Sequence, residues 1–316
     1  MKSMWIVIMI LTLLLSRVGY GATRKNLPLQ PPPLTSKILI AIIDTGIDTD
    51  HPDLKSYLWK NPGETGRDNL GRDKSINGID DDGNGFVDDL HGWNFASNTK
   101  SVMDTHGHGT HIAGIITEKQ NPRSPKIELM ALKYYDPKTT GVQNLRSSLD
   151  CLRYAIQMKA KVINYSGGGY EKSKEEEYLL RLAESQGILI IAAAGNDHIN
   201  TDIKGFYPAS YRLKNIISVA ALSDEKQLLP SSNYGLKTTH LAAPGRDIFS
   251  TLPGNAYGVM SGTSQATAMV TRTLVDLYFT TQSLSQDSII KAIAQYNSQI
   301  IPYKTTLTPI IRTAHQ

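Results

Sequence analysis

The sequence of 316 residues predicts a three-layer α/β/α sandwich with a central, mostly parallel sheet. Three observations predict it: short apolar runs of strand length, helical patterns between them, and polar or glycine-rich turns that directly follow several of the runs. Strands that are apolar on both faces are typical of a parallel sheet covered by helices on both sides. In such sheets, reactive side chains collect just beyond the carboxyl ends of the strands.

Five apolar runs are predicted as buried strands. They are Lys37–Ile43, Ile127–Leu132, Lys161–Asn164, Ile188–Ala194 and Ile216–Ala220. Helical patterns lie between or after these runs. The predicted helices cover about 109–118, 144–159, 173–186, 263–279 and 285–297. Because strands and helices alternate along the chain, the strands are expected to pair in parallel.

The N-terminal residues are excluded from the folded domain. Lys2 precedes the apolar run Met4–Leu15, and small residues follow it. This layout predicts a secretory signal peptide over residues 1–21, with cleavage after Gly21. The alternative, a membrane anchor, is disfavoured because the run is shorter than the roughly 20 residues of a spanning helix. We therefore expect a secreted or periplasmic protein with no stable membrane anchor after signal cleavage. A proline-rich linker (22–36) then precedes a domain over 37–316.

The overall charge is too weak to indicate a nucleic-acid partner. The formal net charge is +4, and no basic run carries interleaved aromatic residues. Cys151 is the only cysteine in the sequence, so no intrachain disulfide can form. We expect a monomer.

The strand ends and helix starts contain the groups that serine-catalysed amide hydrolysis requires. A serine needs a base, the base needs a carboxylate, and the oxyanion needs hydrogen-bond donors. Asp44 ends the first strand, His108 leads into a helix within "DTHGHGTHIAG", and Ser264 begins another within "SGTSQATA". The Ser264 N–H and the Asn196 side-chain amide are the candidate oxyanion donors.

These motifs resemble those of the subtilisin-like serine proteases, the subtilases. The Asp motif "DTGID...HPDL" (44–54), the His motif "HGTHIAG" (108–114), the Asn motif "AAGN" (193–196) and the Ser motif "SGTSQA" (261–266) stand in the family's order. The likeness covers roughly residues 37–297. The resemblance implies that Asp44 orients His108, that His108 acts as base and then acid, that Ser264 attacks, and that Asn196 binds the oxyanion.

The resemblance also implies a substrate site and a polypeptide substrate. The segment "SGGG" (166–169) is similar to the family's substrate-binding strand. Residues implied to pair with the substrate backbone are Ser166, Gly167 and Gly168. Residues implied to form the opposite wall of the pocket are Ala193, Ala194 and Gly195. Small residues on both walls predict a roomy pocket, and Asp197 is expected near its rim.

Some features depart from the family pattern. Gln265 stands where the family usually has Met, and Ala268 stands where it usually has Pro. Replacing Pro by Ala predicts a straighter helix after Ser264. Only about 16 residues (22–37) separate the signal from the first strand, too few for a folded propeptide. We therefore expect the protein to fold unaided or with a helper in trans.

An acidic insert at about 64–95 suggests a calcium ion. Asp80, Asp82 and Asn84 follow the one-three-five spacing of a Ca²⁺ loop, and Asp88 stands at its ninth position. His91 replaces the usual glutamate at the twelfth position, and no helices clearly flank the loop. The alternative is a solvated acidic turn without an ion.

The main prediction is therefore an exported serine endopeptidase that hydrolyses peptide bonds through an acyl-enzyme. One alternative is a catalytically silent subtilase-like scaffold that binds peptides or a protein partner. The complete set of Asp44, His108 and Ser264 argues against it, because a binding module does not need all three. A cation-dependent adhesion module built on the acidic insert would leave the other motifs unexplained.

Overall fold

A computed structural model describes residues 37–118, 124, 126–277 and 286–302. The predicted signal peptide and linker lie outside these residues. Ten strands are described, numbered in chain order: β1 (Lys37–Asp44), β2 (Gly92–Asn94), β3 (Lys126–Lys133), β4 (Val162–Tyr165), β5 (Leu189–Ala193), β6 (Ile216–Leu222), β7 (Leu241–Pro244), β8 (Ile248–Leu252), β9 (Ala256–Met260) and β10 (Ile301–Pro302).

Eight of these strands form one sheet in the order β10-β7-β6-β5-β4-β1-β3-β2. All its pairs are parallel except the β10–β7 pair at one edge. Strand β1 lies inside the sheet between β3 and β4, and its last residue Asp44 is paired with Lys133 of β3. Strands β8 and β9 form a separate antiparallel hairpin.

Five α-helices cover the sheet. They are α1 (His108–Thr117), α2 (Gly141–Gln157), α3 (Lys174–Ser185), α4 (Thr263–Leu277) and α5 (Gln286–Tyr296). Alternate side chains of β1 enter different cores: Ile40 and Ile42 pack with α1, α4 and α5, whereas Ala41 and Ile43 pack with α2 and α3. The predicted three-layer α/β/α sandwich is therefore confirmed. None of the described helices is long and apolar enough to cross a membrane.

The five strands and five helices predicted from sequence are all present, with ends shifted by a few residues. Five described strands were not predicted: β2 has 3 residues, β7 has 4, β8 and β9 have 5 each, and β10 has 2 and ends in Pro302. Segments this short show little hydrophobic period, and the pairing of those in the main sheet depends on neighbours that are distant in sequence. Helix α4 continues through Ala268 without a break, as the missing proline predicts.

Candidate active site

The end of β1 and the start of α1 bring Asp44 and His108 together. The His108 Nδ1 atom lies 2.7 Å from the Asp44 Oδ1 atom. Asp44 is 2% exposed, and Thr45 donates its backbone N–H to the same Oδ1 at 2.7 Å. The pair is therefore a buried carboxylate hydrogen-bonded to an imidazole ring that stays partly exposed.

The pKa of His108 is raised above its ordinary value of 6.5. Burial opposes the charged imidazolium and lowers the pKa, but the negative charges of Asp44 and Asp104 outweigh that effect. The carboxylate that orients the ring thus also stabilises its protonated form, which is what a general base requires after accepting a proton.

Asp104, to which sequence reasoning assigned no role, fixes the entry into α1. Its Oδ1 accepts the backbone N–H groups of His106 and Gly107, each at 2.9 Å. Its Oδ2 accepts the N–H and the hydroxyl of Thr110, at 2.9 and 2.7 Å. Thr45 donates its hydroxyl to Asp104, so this one buried carboxylate ties the end of β1 to the first turn of α1. The sequence signal was an aspartate four residues before His108.

Ser264 is the second residue of α4 and lies beside Ser166, which follows β4. The Ser264 hydroxyl donates to the backbone oxygen of Ser166 at 2.8 Å, and the Ser166 hydroxyl donates to the backbone oxygen of Ser264 at 3.3 Å. Ser166 also lines a cavity of about 220 Å³ together with Asp44 and His108. Asp44 and His108 therefore share one small cavity at the carboxyl end of the sheet, and Ser264 is hydrogen-bonded to Ser166, which lines the same cavity. In this conformation Ser264 is hydrogen-bonded to Ser166 and not to the imidazole.

Asn196 lies beside the first turn of α4. Its Oδ1 accepts the backbone N–H of Thr263 at 2.9 Å, which fixes which end of the amide is oxygen. The side chain is exposed, so its Nδ2 is available as a donor. Gly195 has a φ of +101°, a left-handed conformation that favours glycine, and this turn directs Asn196 toward α4.

Asn233, also missed from sequence, holds the Asn196 loop in place. This residue is fully buried, and its Nδ2 donates to the carbonyl oxygen of Ala194 at 2.8 Å. Its Oδ1 accepts the N–H groups of Asp197 and Ile199 at 3.0 and 2.9 Å. One side chain therefore hydrogen-bonds to backbone groups on both sides of Asn196 and holds this turn in place.

The profile of the subtilase family matches residues 35–299. Subtilisin-like protease 1 of Plasmodium falciparum (isolate 3D7) is 33% identical over 299 residues, an alignment that covers 87% of this chain. The chain belongs to the subtilase family. The thermophilic serine proteinase of Bacillus sp. (strain AK1) is 33% identical over 237 residues and 73% of this chain. The intracellular serine protease of Paenibacillus polymyxa is 32% identical over 241 residues and 74% of this chain.

These alignments cover 41%, 49% and 64% of the three relatives, so this subtilase matches only part of each. Two solved structures have the same fold. A cold-adapted subtilisin-like serine proteinase superposes with a TM-score of 0.61 at 20% identity, over 82% of this chain and 81% of that one. A lanthipeptide protease superposes with a TM-score of 0.59 at 22% identity, over 80% and 78%.

The glycine walls of this subtilase face an aromatic ring that the sequence did not predict. A Cβ atom placed on Gly168 would lie 2.7 Å from a ring carbon of Phe206. A Cβ placed on Gly195 would lie 3.1 Å from the same ring. The ring of Phe206 therefore touches both walls, and the space between them is narrower than the small wall residues suggest.

The acidic insert places a different set of carboxylates together than the sequence predicted. Oxygen atoms of Glu64, Asp80 and Asp82 all lie within 4.8 Å of one another. Asn84 donates its Nδ2 to Asp82 and uses its Oδ1 to accept the N–H of Phe86. The fourth predicted ligand, Asp88, instead forms an ion pair with Lys100 at 2.8 Å. His91 lies 2.6 Å from the carbonyl oxygen of Trp59.

Glu64 was absent from the predicted set, since it precedes the loop by sixteen residues. It is fully buried, and its Oε1 accepts the backbone N–H of Asp81 at 2.8 Å. Its Oε2 has no hydrogen-bond partner. Burial and the charges of Asp89, Asp81 and Asp82 raise the pKa of Glu64 to about 7, although the backbone hydrogen bond lowers it.

Proposed function

We propose that this chain is a serine endopeptidase in which Asp44, His108 and Ser264 act as a catalytic triad. The observation that carries the proposal is the 2.7 Å contact between Asp44 and His108 at the cavity beside Ser264. A buried carboxylate and an imidazole at a strand-end cavity, with a helix-terminal serine hydrogen-bonded to the cavity residue Ser166, are suited to nucleophilic acyl transfer. Family membership supports the same reaction class.

In the proposed reaction, neutral His108 accepts the hydroxyl proton of Ser264 as the oxygen attacks the peptide carbonyl. The Ser264 hydroxyl must first leave the carbonyl oxygen of Ser166 and turn toward the imidazole, a rotation about one side-chain bond. His108 then donates the proton to the leaving amine, and an acyl-enzyme remains. Water then attacks this ester, and His108 accepts a proton from the water. His108 donates that proton to the departing Ser264 oxygen, which restores the free enzyme.

The developing oxyanion is proposed to lie between two donors. One is the N–H of Ser264, in the first helical turn, where N–H groups have no intrahelical partner. The other is the Nδ2 of Asn196, whose amide is oriented by Thr263. Removing one such side-chain donor typically costs about 10²–10³ in kcat, so we expect a loss of that size for Asn196→Ala.

The substrate backbone is proposed to pair with Ser166, Gly167 and Gly168 as an added strand. The opposite wall, with Ala193, Ala194 and Gly195, would enclose the side chain next to the scissile bond. Because Phe206 touches both walls, we propose that this position accepts small side chains.

A fluorophosphonate probe tests the nucleophile. We expect the native protein to be labelled and Ser264→Ala not to be labelled, because the probe reacts with an activated serine. Ser261→Ala is the matched control, since Ser261 is an exposed serine of the same motif. Absence of labelling in native protein that still binds peptides would favour the silent scaffold. Labelling that survives Ser264→Ala would refute the assigned nucleophile.

We further propose export to a secreted or periplasmic location, on the sequence of residues 1–21 alone. Expression of the full chain in a bacterial host, followed by fractionation and N-terminal sequencing, tests it. A mature protein that begins at Ala22 outside the cytoplasm is expected. Uncleaved protein that stays in the cytoplasm would contradict the proposal.

We also propose that the acidic insert binds one Ca²⁺ ion, held by Glu64, Asp80 and Asp82. The residues fit this ion, because calcium prefers several carboxylate oxygens and the buried Oε2 of Glu64 has no other partner. A bound divalent cation would offset most of the negative charge of three carboxyl groups that otherwise repel one another.

Thermal unfolding with calcium and with a chelator tests the ion. At a calcium concentration of about 100 Kd, we expect the chelator to lower Tm by about 5 °C. Asp82→Asn should remove the calcium-dependent part of Tm. Asp73→Asn, an exposed carboxylate of the same insert, should leave it intact. An identical midpoint with and without chelator would exclude a structural ion here.

A further inference from the structure

A second cavity, of about 310 Å³, lies next to the candidate active site. Tyr134 and Tyr135 line both this cavity and the smaller one that contains Asp44 and His108. Gly168 and Gly169 also line it, so the proposed substrate strand runs along its mouth. A peptide bound for cleavage would therefore place one of its side chains at this opening.

Glu176 is one of the residues that line this cavity. Helix α3 begins with Ser173 as its cap, and Glu176 stands three residues later, the spacing of a capping box. In a capping box the glutamate would accept the backbone N–H of Ser173. Here the hydroxyl of Tyr211 accepts that N–H at 2.9 Å instead. The carboxyl group of Glu176 therefore does not cap the start of α3, and Glu176 lines the cavity.

This carboxyl group is buried, and one of its two oxygen atoms has no partner. Glu176 is 2% exposed, and its Oε2 has no hydrogen-bond partner. Across the described residues, no lysine or arginine pairs with it. Burial raises its pKa to about 7, although the nearby Tyr211 hydroxyl lowers it. An unpaired buried carboxyl group is costly for the fold, which indicates a function in binding.

We infer that this cavity binds a lysine or arginine side chain of the polypeptide substrate, with Glu176 as its ionic partner. The inference rests on the proposed peptidase function. It names a specificity-determining residue that does not touch the reacting atoms.

The walls of the cavity fit such a side chain. The methylene stem of lysine or arginine would pack against Tyr165 and Tyr207, whose rings can also attract a cation. The charged head would reach the carboxyl group of Glu176. Glu171 is the other carboxylate among the lining residues, which include no basic side chain. The cavity therefore has the electrostatic character of a cation site.

Hydrolysis of a peptide series tests the inference. One lysine is moved through the positions around the scissile bond of an otherwise apolar peptide, and norleucine is its neutral counterpart. We expect one position at which lysine raises kcat/KM over norleucine by about 10- to 100-fold, the range of a hydrogen bond to a charged group. Glu176→Gln should abolish the preference for lysine over norleucine at that position. Glu177→Gln is the control and should keep the lysine preference, because the partly buried carboxylate of Glu177 is paired with Lys172 and Arg181.

Several results separate this inference from the proposed function. Equal cleavage of all lysine and norleucine peptides by the native protein would overturn the cation site and leave the peptidase intact, even if Glu176→Gln fails to fold. A preference for norleucine at every position would overturn it too. If no peptide is cleaved, anisotropy of the same labelled peptides on Ser264→Ala measures binding alone. A lysine preference there supports the site, and its absence overturns the site.

Discussion

The ring of Phe206 lies against both glycine walls of the proposed substrate pocket and packs edge-on against Tyr170 at 5.4 Å. Replacing it by alanine should open the pocket between Gly168 and Gly195. We expect Phe206→Ala to raise the kcat/KM ratio for phenylalanine over alanine at the cleavage position by at least about 10- to 100-fold, since even a single methylene in an apolar pocket is worth that much and a phenyl ring is larger.

Peptides that differ only in the residue before the scissile bond measure this ratio. Phe249→Ala is the matched control, because Phe249 lies 63% exposed on the β8–β9 hairpin and does not touch the glycine walls. Wild-type preference for a large aromatic residue would show that the ring does not limit the pocket.

A second residue-scale prediction concerns His108. Its pKa is raised because Asp44 and Asp104 favour the imidazolium more than burial opposes it. The charged ring, which cannot act as a base, therefore persists to a higher pH than in a free histidine. We expect kcat/KM to fall as the pH drops through a midpoint above 6.5. The pH profile of fluorophosphonate labelling should give the same midpoint, and a midpoint below 6.5 would contradict the described pairing.

At the scale of elements, α1 packs so tightly on the end of β1 that Gly109 has no room for a side chain. A Cβ atom there would lie 2.1 Å from the carbonyl oxygen of Gly46 and 3.2 Å from Asp44. We expect Gly109→Ala to destabilise the fold by about 1–3 kcal/mol, as overpacking does. Activity should also fall, because the added methyl group would displace α1, the helix that carries His108.

Gly141→Ala provides the matched control for this prediction. Gly141 also lies in the first turn of a helix, but nothing lies within 4 Å of a Cβ atom placed there. Alanine should be neutral there or stabilise α2 by up to about 1 kcal/mol. Urea unfolding of both variants measures the difference in stability. Equal behaviour of the two would refute the steric argument.

At the scale of the whole molecule, the buried Glu176 should make stability depend on pH. Its folded pKa of about 7 exceeds the ordinary value of 4.5, so between these values the folded protein holds a proton that the unfolded chain has lost. The stability that this group contributes is therefore fully present below about pH 4.5 and is lost as the pH rises through about 7. The shift corresponds to about 3 kcal/mol.

Glu176→Gln should remove this pH dependence. In urea unfolding without peptide, we expect the variant to gain stability over wild type at pH 8 and to gain much less at pH 4. Glu64 has a raised pKa of similar size, but it is present in both proteins and its effect cancels in the comparison. A difference between variant and wild type that is the same at both pH values would mean that folding does not raise the pKa of Glu176.

Much of the architecture was predictable, because a strand that is buried on both faces of a sheet has a continuous run of apolar residues. Strand β1 is apolar along most of its length, and α2 shows an amphipathic period. The edge strands β2 and β10 have no such pattern, because partners distant in sequence determine their pairing. Asp104 and Asn233 were missed for a related reason: each binds backbone groups, and those contacts leave no pattern of side chains.

Sequence patterns alone predicted five of the strands and all five described α-helices in their order, and they nominated Asp44, His108 and Ser264, because each of these residues stands at a recognisable strand end or helix start. Tertiary structure alone decided that Glu64 joins Asp80 and Asp82, while Asp88 pairs with Lys100. It also decided the environment of Glu176. Burial, and the proximity of charges that lie far apart along the chain, exist only after packing, and these set the pKa and the available partners of each group.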